Sequence, residues 1–170
     1  MTLSPPRSAL IVNSTGPGPR TLDLGPWGKA GVQVCYEIVF SGHVVDRKHR
    51  PDYIFNDSND GWFGAFGPPQ HLAQARLRAI EEGLPILRAT TTGISAVIDA
   101  RGVVRSYLPM HRAGRLDGVV PPAAPPTLFA RLGNILPLGW ALLVRGRAGG
   151  ARRLRAGETA SRTRPGEVNL

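Results

Sequence analysis

Gly31-Val32-Gln33-Val34-Cys35-Tyr36-Glu37 alternates β-branched residues with small and polar ones and stops on the chain's single cysteine. That alternation predicts a buried strand over Gly31–Cys35, with the thiol at its end. Working outward, Ser41 is placed to cap a short helix over Gly42–Arg47. Pro51 precedes a second strand, Tyr53–Asn56, and the turn-forming run Asp57-Ser58-Asn59-Asp60-Gly61 reads as loop. His71–Glu82 carries Leu72, Ala75, Leu77, Ala79 and Ile80 at helical spacing, with Gly83 to cap it and Pro85 to stop it. Ile86–Ala89, Ser95–Ile98, Val103–Tyr107 and Arg115–Val119 read as four further strands. Asp99-Ala100-Arg101-Gly102 forms a hairpin turn between the second and third of them. Strand, helix, strand and then a meander of strands imply an α/β sandwich.

Composition limits what this architecture can serve. The chain of 170 residues is 42% hydrophobic, enough for one packed core. Its 21 Gly and 16 Pro crowd into the first thirty residues, Pro121–Pro126 and the stretch past Val144, so the foldable part runs from about Trp27 to Val120. The net charge of +9 is mostly a tail, because seven arginines fall between Arg145 and Arg164 in Gly/Ala-rich sequence. No aromatics interleave with them, which argues against a nucleic-acid partner and leaves contact with an anionic membrane surface open. One cysteine excludes an intramolecular disulfide. Met1-Thr2-Leu3-Ser4-Pro5-Pro6 opens no signal peptide. Ile135–Val144, interrupted by Pro137 and Gly139, is about half of the roughly 20 residues that cross a bilayer.

A thiol at a strand end can project from a rigid scaffold, with the backbone N–H groups that follow it available to an oxyanion. Alone, a cysteine at the end of an apolar strand is more often a small buried hydrophobe. The loop from Asn56 to Gly64 sets Asn59, Asp60, Trp62 and Phe63 together, a costly combination for an ordinary turn. His71, at a helix start, reads as a capping or packing residue rather than a partner for Cys35.

In this order, Val34-Cys35-Tyr36-Glu37-Ile38-Val39-Phe40, Asn59-Asp60-Gly61-Trp62-Phe63-Gly64, Gln70–Ala79, Gly83–Ala89 and Thr92–Asp99 resemble consecutive blocks of the bacterial apolipoprotein N-acyltransferases, members of the nitrilase or carbon–nitrogen hydrolase superfamily. The resemblance runs from about Gly16 to about Gly133. It implies a partial nitrilase-like αββα sandwich over residues 27–133, after a loop-rich lead-in (1–26) and before an apolar stub (134–144) and a basic disordered tail (145–170). It also implies transfer of a fatty acyl group from a phospholipid to the N-terminal cysteine amine of a diacylated lipoprotein. Cys35 would be the nucleophile that carries the acyl group as a thioester, and Tyr36 would lend a backbone N–H to the oxyanion. Glu37 would support the site, and Trp62 and Phe63 would line the acyl pocket. No metal or organic cofactor is implied. The place of work would be the periplasmic face of the inner membrane, though the absence of a signal peptide and a full membrane helix leaves a cytoplasmic chain open.

The resemblance has gaps. Such sites need a Glu to take the thiol proton and a Lys to steady the oxyanion, both well upstream of the nucleophile in the family. The 34 residues before Cys35 hold no glutamate, and neither Lys29 nor Lys48 stands at a matching position. Thr91 replaces an asparagine usual in the family. An incomplete or inactive piece is therefore expected, with Cys35 sluggish toward alkylation. Two rival readings remain: a soluble carbon–nitrogen amidohydrolase, in which water replaces the amine, and a non-enzymatic half-domain that pairs with another chain.

Overall fold

The computed structural model describes residues 18–62 and 64–147. Six strands form one sheet in chain order: β1 (Thr21–Asp23), β2 (Lys29–Val34), β3 (Tyr53–Ser58), β4 (Ile86–Thr90), β5 (Ser95–Ile98) and β6 (Val104–Leu108). β2, β3 and β4 run parallel, and β1, β5 and β6 pair antiparallel at the edges. The crossover from β3 to β4 is α1 (Gly67–Glu82), and α2 (Leu128–Leu132) follows the sheet. The mixed α/β class with a nitrilase-like open sheet agrees with the sequence reading.

The core lies between α1 and one sheet face. Register puts Ile54, Ile86 and Ile98 side by side on adjacent strands, where they pack with Ala75 and Ala79 of α1 and with Leu84, Ile38 and Val44. Each large aliphatic side chain buried here contributes about 1.5–3 kcal/mol. The small residues of α1 let the helix approach the sheet closely. Its buried positions, Pro68, His71, Ala75, Arg78, Ala79 and Glu82, recur at three- and four-residue spacing, the signature of a single face. Leu77 and Ile80, which share the helical spacing of the apolar residues, are about half exposed. On the other sheet face, Val32, Phe55, Leu87 and Val97 stand in one register row across four strands, and all four are only partly buried. Two-layer packing leaves this row without the second sheet that an αββα sandwich places there.

Several boundaries differ from expectation for local reasons. α1 begins four residues before His71, because Pro68 suits the first turn of a helix, where no N–H is needed. It ends as predicted at Gly83, whose left-handed conformation (φ 65°) supports an N–H bond to Ala79 O. Residues 42–47 are turns rather than a helix; Asp46 instead accepts N–H bonds from Lys48 and His49, an Asx arrangement that competes with helix. β3 runs on through Asp57 and Ser58, placed in a loop from sequence, because both pair in register with Ala89 and Thr90 of β4. The segment Arg115–Val119 is not a strand: apart from half-buried Leu116 it is exposed, and it pairs with no neighbour in the sheet. Part of the lead-in is structured, since β1 adds an edge to β2. Residues 135–147 are helical and mostly exposed. Among the described residues no helix is long and apolar enough to cross a membrane.

Candidate active site

β2 stops at Val34, and Cys35 turns the chain with φ +50°, a left-handed conformation that costs a non-glycine residue about 1–2 kcal/mol. A tight turn over Cys35–Val39 follows at once. A strained residue between a strand and a helical turn lifts its side chain clear of the sheet, the geometry that exposes nucleophiles in other folds. The strain persists because both sides of Cys35 are held. Glu37 Oε2 accepts the N–H of Val34 at 2.7 Å, and Asn56 Nδ2 donates to Gln33 O (3.0 Å) and Cys35 O (3.4 Å). Arg78 ties the turn to α1 by donating to Val39 O at 2.8 Å and to Glu81 at 2.6 Å.

Beneath the thiol lies a buried polar network. Ser58 Oγ is 3.6 Å from Cys35 Sγ and donates to Asp60 Oδ1 at 2.6 Å. Arg88 Nη2 donates to Asp60 Oδ2 at 2.7 Å, and Nη1 donates to Asn56 Oδ1. His71 Nδ1 lies 3.0 Å from Asp60 Oδ1 and 2.9 Å from Arg88 Nη2. These two contacts exclude each other as hydrogen bonds, because Nδ1 either carries a proton or accepts one. Asp60 settles the choice: a carboxylate attracts an N–H, so Nδ1–H donates to Asp60 and the arginine contact is a consequence of crowding. Burial pushes the Asp60 carboxyl upward, but hydrogen bonds from His71 and Ser58 and the charge of Arg88 outweigh it and hold the group down at about 2. Burial lowers the Arg88 pKa, while the charge of Asp60 and its hydrogen bond oppose the fall. Arg88 thus reaches the cysteine by two routes, through Asn56 to its backbone and through Asp60 and Ser58 to its thiol.

The residues singled out from sequence fare differently. Cys35, Tyr36 and Glu37 share one turn, but the carboxylate of Glu37 is engaged by the Val34 N–H. The Tyr36 ring packs edge-on to Phe40, with centroids 6.0 Å apart, and lies 6.3 Å from His71. Trp62 ends the Asp60–Trp62 turn and is 84% exposed. Phe63 lies outside the described residues. A cavity of about 640 Å³ is lined by residues of the β5–β6 hairpin and Gly118–Ala124 rather than by Cys35. Sequence reasoning missed the roles of Asn56, Ser58 and Arg88. The available signal was period two, since Asn56 and Ser58 put polar groups on the buried face of β3 and Arg88 does so on β4.

Gly93 lets the loop after β4 close over this network. A β-carbon there would overlap the Asp60 carboxylate. Gly93→Ala is therefore expected to destabilise the chain by about 1–3 kcal/mol through overpacking. Urea unfolding followed by circular dichroism measures it, and an unchanged midpoint would mean that the loop shifts freely.

A carbon–nitrogen hydrolase family model matches residues 5–112. The chain belongs to the carbon–nitrogen hydrolase family. It is 52% identical over 103 residues to an apolipoprotein N-acyltransferase of Bradyrhizobium diazoefficiens, a match covering 60% of this chain and 19% of that protein. The apolipoprotein N-acyltransferase of Caulobacter vibrioides is 41% identical over 137 residues, 76% of this chain and 25% of that protein. The chain spans about a fifth to a quarter of the length of these curated relatives. A mutant amidase from Nesterenkonia, of the nitrilase superfamily, superposes with a TM-score of 0.50 at 15% identity, over 74% of this chain and 49% of that one. At that identity the likeness is one of fold alone.

Proposed function

We propose that this carbon–nitrogen hydrolase chain is the nucleophile-bearing part of an apolipoprotein N-acyltransferase site, with Cys35 as the acyl carrier. The observation that carries the reading is the strained, doubly clamped turn that lifts Cys35 from the end of β2 onto a buried polar network. In the reaction, the Cys35 sulfur attacks the ester carbonyl of a phospholipid. The acyl–oxygen bond breaks, and the lysophospholipid alkoxide leaves with a proton. The α-amine of a diacylated lipoprotein's N-terminal cysteine then attacks the thioester, forming an amide and returning the thiol. A thioester suits this second step, being activated toward amines. Tyr36 would lend its backbone N–H to the oxyanion, Glu37 would hold the turn, and Trp62 and Phe63 would meet the acyl chain. The work would take place at the periplasmic face of the inner membrane.

An activated donor tests the assignment, because its leaving group departs without a proton. Incubated with a p-nitrophenyl fatty ester, the chain is expected to gain one acyl mass on the Cys35 peptide, and Cys35→Ala to gain none. Adding a diacylated lipopeptide should move that mass to the peptide amine. Release of free fatty acid with no amide product would favour the amidohydrolase reading, and an acyl mass that persists in Cys35→Ala would remove Cys35 from the mechanism.

A further inference from the structure

The hydroxyl of Ser58 has one proton and two neighbours that could take it. Asp60 Oδ1 is 2.6 Å away and Cys35 Sγ is 3.6 Å away. The carboxylate wins, since a hydrogen bond to an ionised acceptor is about twice as strong as one between neutral groups. The Ser58 oxygen then offers a lone pair to the thiol, whose S–H is a weak donor. We infer that Ser58, oriented by Asp60, is a positioning residue for the Cys35 thiol, its hydroxyl oxygen turned to accept the S–H while its proton is held by the carboxylate. This rests on the reading of Cys35 as the nucleophile.

The surrounding groups make the arrangement specific. Asp60 cannot turn away, because Arg88 takes its other oxygen and His71 shares Oδ1 with Ser58. Ser58, Asp60, His71, Arg88 and Asn56 are all at least nine-tenths buried, so bulk water does not compete for these bonds. Ser58 from β3 touches the sulfur, and behind it stand Asp60 from its turn, His71 from α1 and Arg88 from β4, while Glu37 on the cysteine's own turn is bonded to the Val34 N–H. When the thiol loses its proton, the hydroxyl must leave Asp60 to donate to sulfur. The thiolate therefore gains a hydrogen bond only by breaking a stronger one. Whatever group accepts the thiol proton must offset that loss.

Because the chain has one cysteine, two measurements read this bond directly. The first is the S–H stretching band, which belongs to Cys35 alone. It is expected to move to higher frequency in Ser58→Ala and to return in Ser58→Thr. The second is the rate of alkylation by iodoacetamide against pH, with folding checked by circular dichroism. Removing the acceptor for the S–H should move the profile of Ser58→Ala to lower pH, raising the rate at pH 7 about threefold. Asp60→Asn frees the hydroxyl for the thiolate and removes a negative charge, so its rate should rise further, by about tenfold. A merely structural role for Ser58 would lower stability without moving the band or the profile. Bands and profiles that coincide with wild type, or profiles that move to higher pH, overturn the inference. If Ser58→Ala fails to fold, Asp60→Asn and Ser58→Thr decide it by the same criteria. Neither readout needs acyl transfer, so failure of the proposed function would show in the ester assay and not here.

Discussion

Asp60→Ala is expected to cost about 3–5 kcal/mol, the loss typical of removing one partner from a buried ion pair. The side chains of Asp60 and Arg88 are fully buried against each other. Deleting the carboxylate leaves a guanidinium that stays charged at any ordinary pH, and it removes the acceptor for Ser58 and His71. Such a loss is a large share of the 5–15 kcal/mol that holds a domain together, so the variant should be partly unfolded at 37 °C. Arg105→Ala provides the contrast. Its partner Asp99 is buried, but the guanidinium is 55% exposed, and such a pair contributes less than about 1 kcal/mol.

The same carboxylate sets an acid limit. Asp60 is held at about 2 in the fold, whereas an aspartate in an unfolded chain titrates near 3.9. Its stabilisation is therefore complete above about pH 4 and lost as pH falls toward 2. Urea midpoints taken from pH 5 to pH 2 should decline in wild type and decline less steeply in Asp60→Asn. A wild-type midpoint that stays flat across that window would contradict the ion-pair account of Asp60.

How much of this was legible beforehand depended on the period of the pattern. β2, β4, β5 and α1 announce themselves by runs of apolar residues and by Gly83, since local rules and packing agree there. The turn residues Asp57 and Ser58 mislead because their preference for loops is a local tendency, overridden once β4 offers a parallel partner. Arg115–Val119 misleads the other way, its apolar residues having no strand to pair with. At the site, Cys35, Tyr36 and Glu37 are adjacent in sequence and so legible together. The union of Ser58, Asp60, His71 and Arg88 is not, because it depends on the register of β3 with β4 and on where α1 begins. His71 illustrates the limit: a residue near a helix start reads as a packing residue, and its neighbour Asp60 is fixed by tertiary structure alone.

Supplied with ordinary phospholipid in detergent and a diacylated lipopeptide, the 170-residue chain is expected to form no N-acylated product above a Cys35→Ala control. The donor's alkoxide is a poor leaving group, so the reaction needs a base for the thiol, a proton for the leaving oxygen and a cation or N–H donors for the oxyanion. The chain's lysines do not meet the need. Lys29 opens β2, five residues before its end and about 16 Å along the strand, and Lys48 belongs to the turn closed by Asp46. Among the described glutamates, Glu37 is taken up by the Val34 N–H. Glu81 and Glu82 lie at the far end of α1 from His71, about 15 Å along the helix axis. Missing acid–base help costs about 10²- to 10⁴-fold, and one missing oxyanion donor about 10²- to 10³-fold. Together these losses put turnover below detection, while leaving Cys35 able to attack an activated ester. Product from the chain alone, lost in Cys35→Ala, would mean that His71 or another group already present serves as the base.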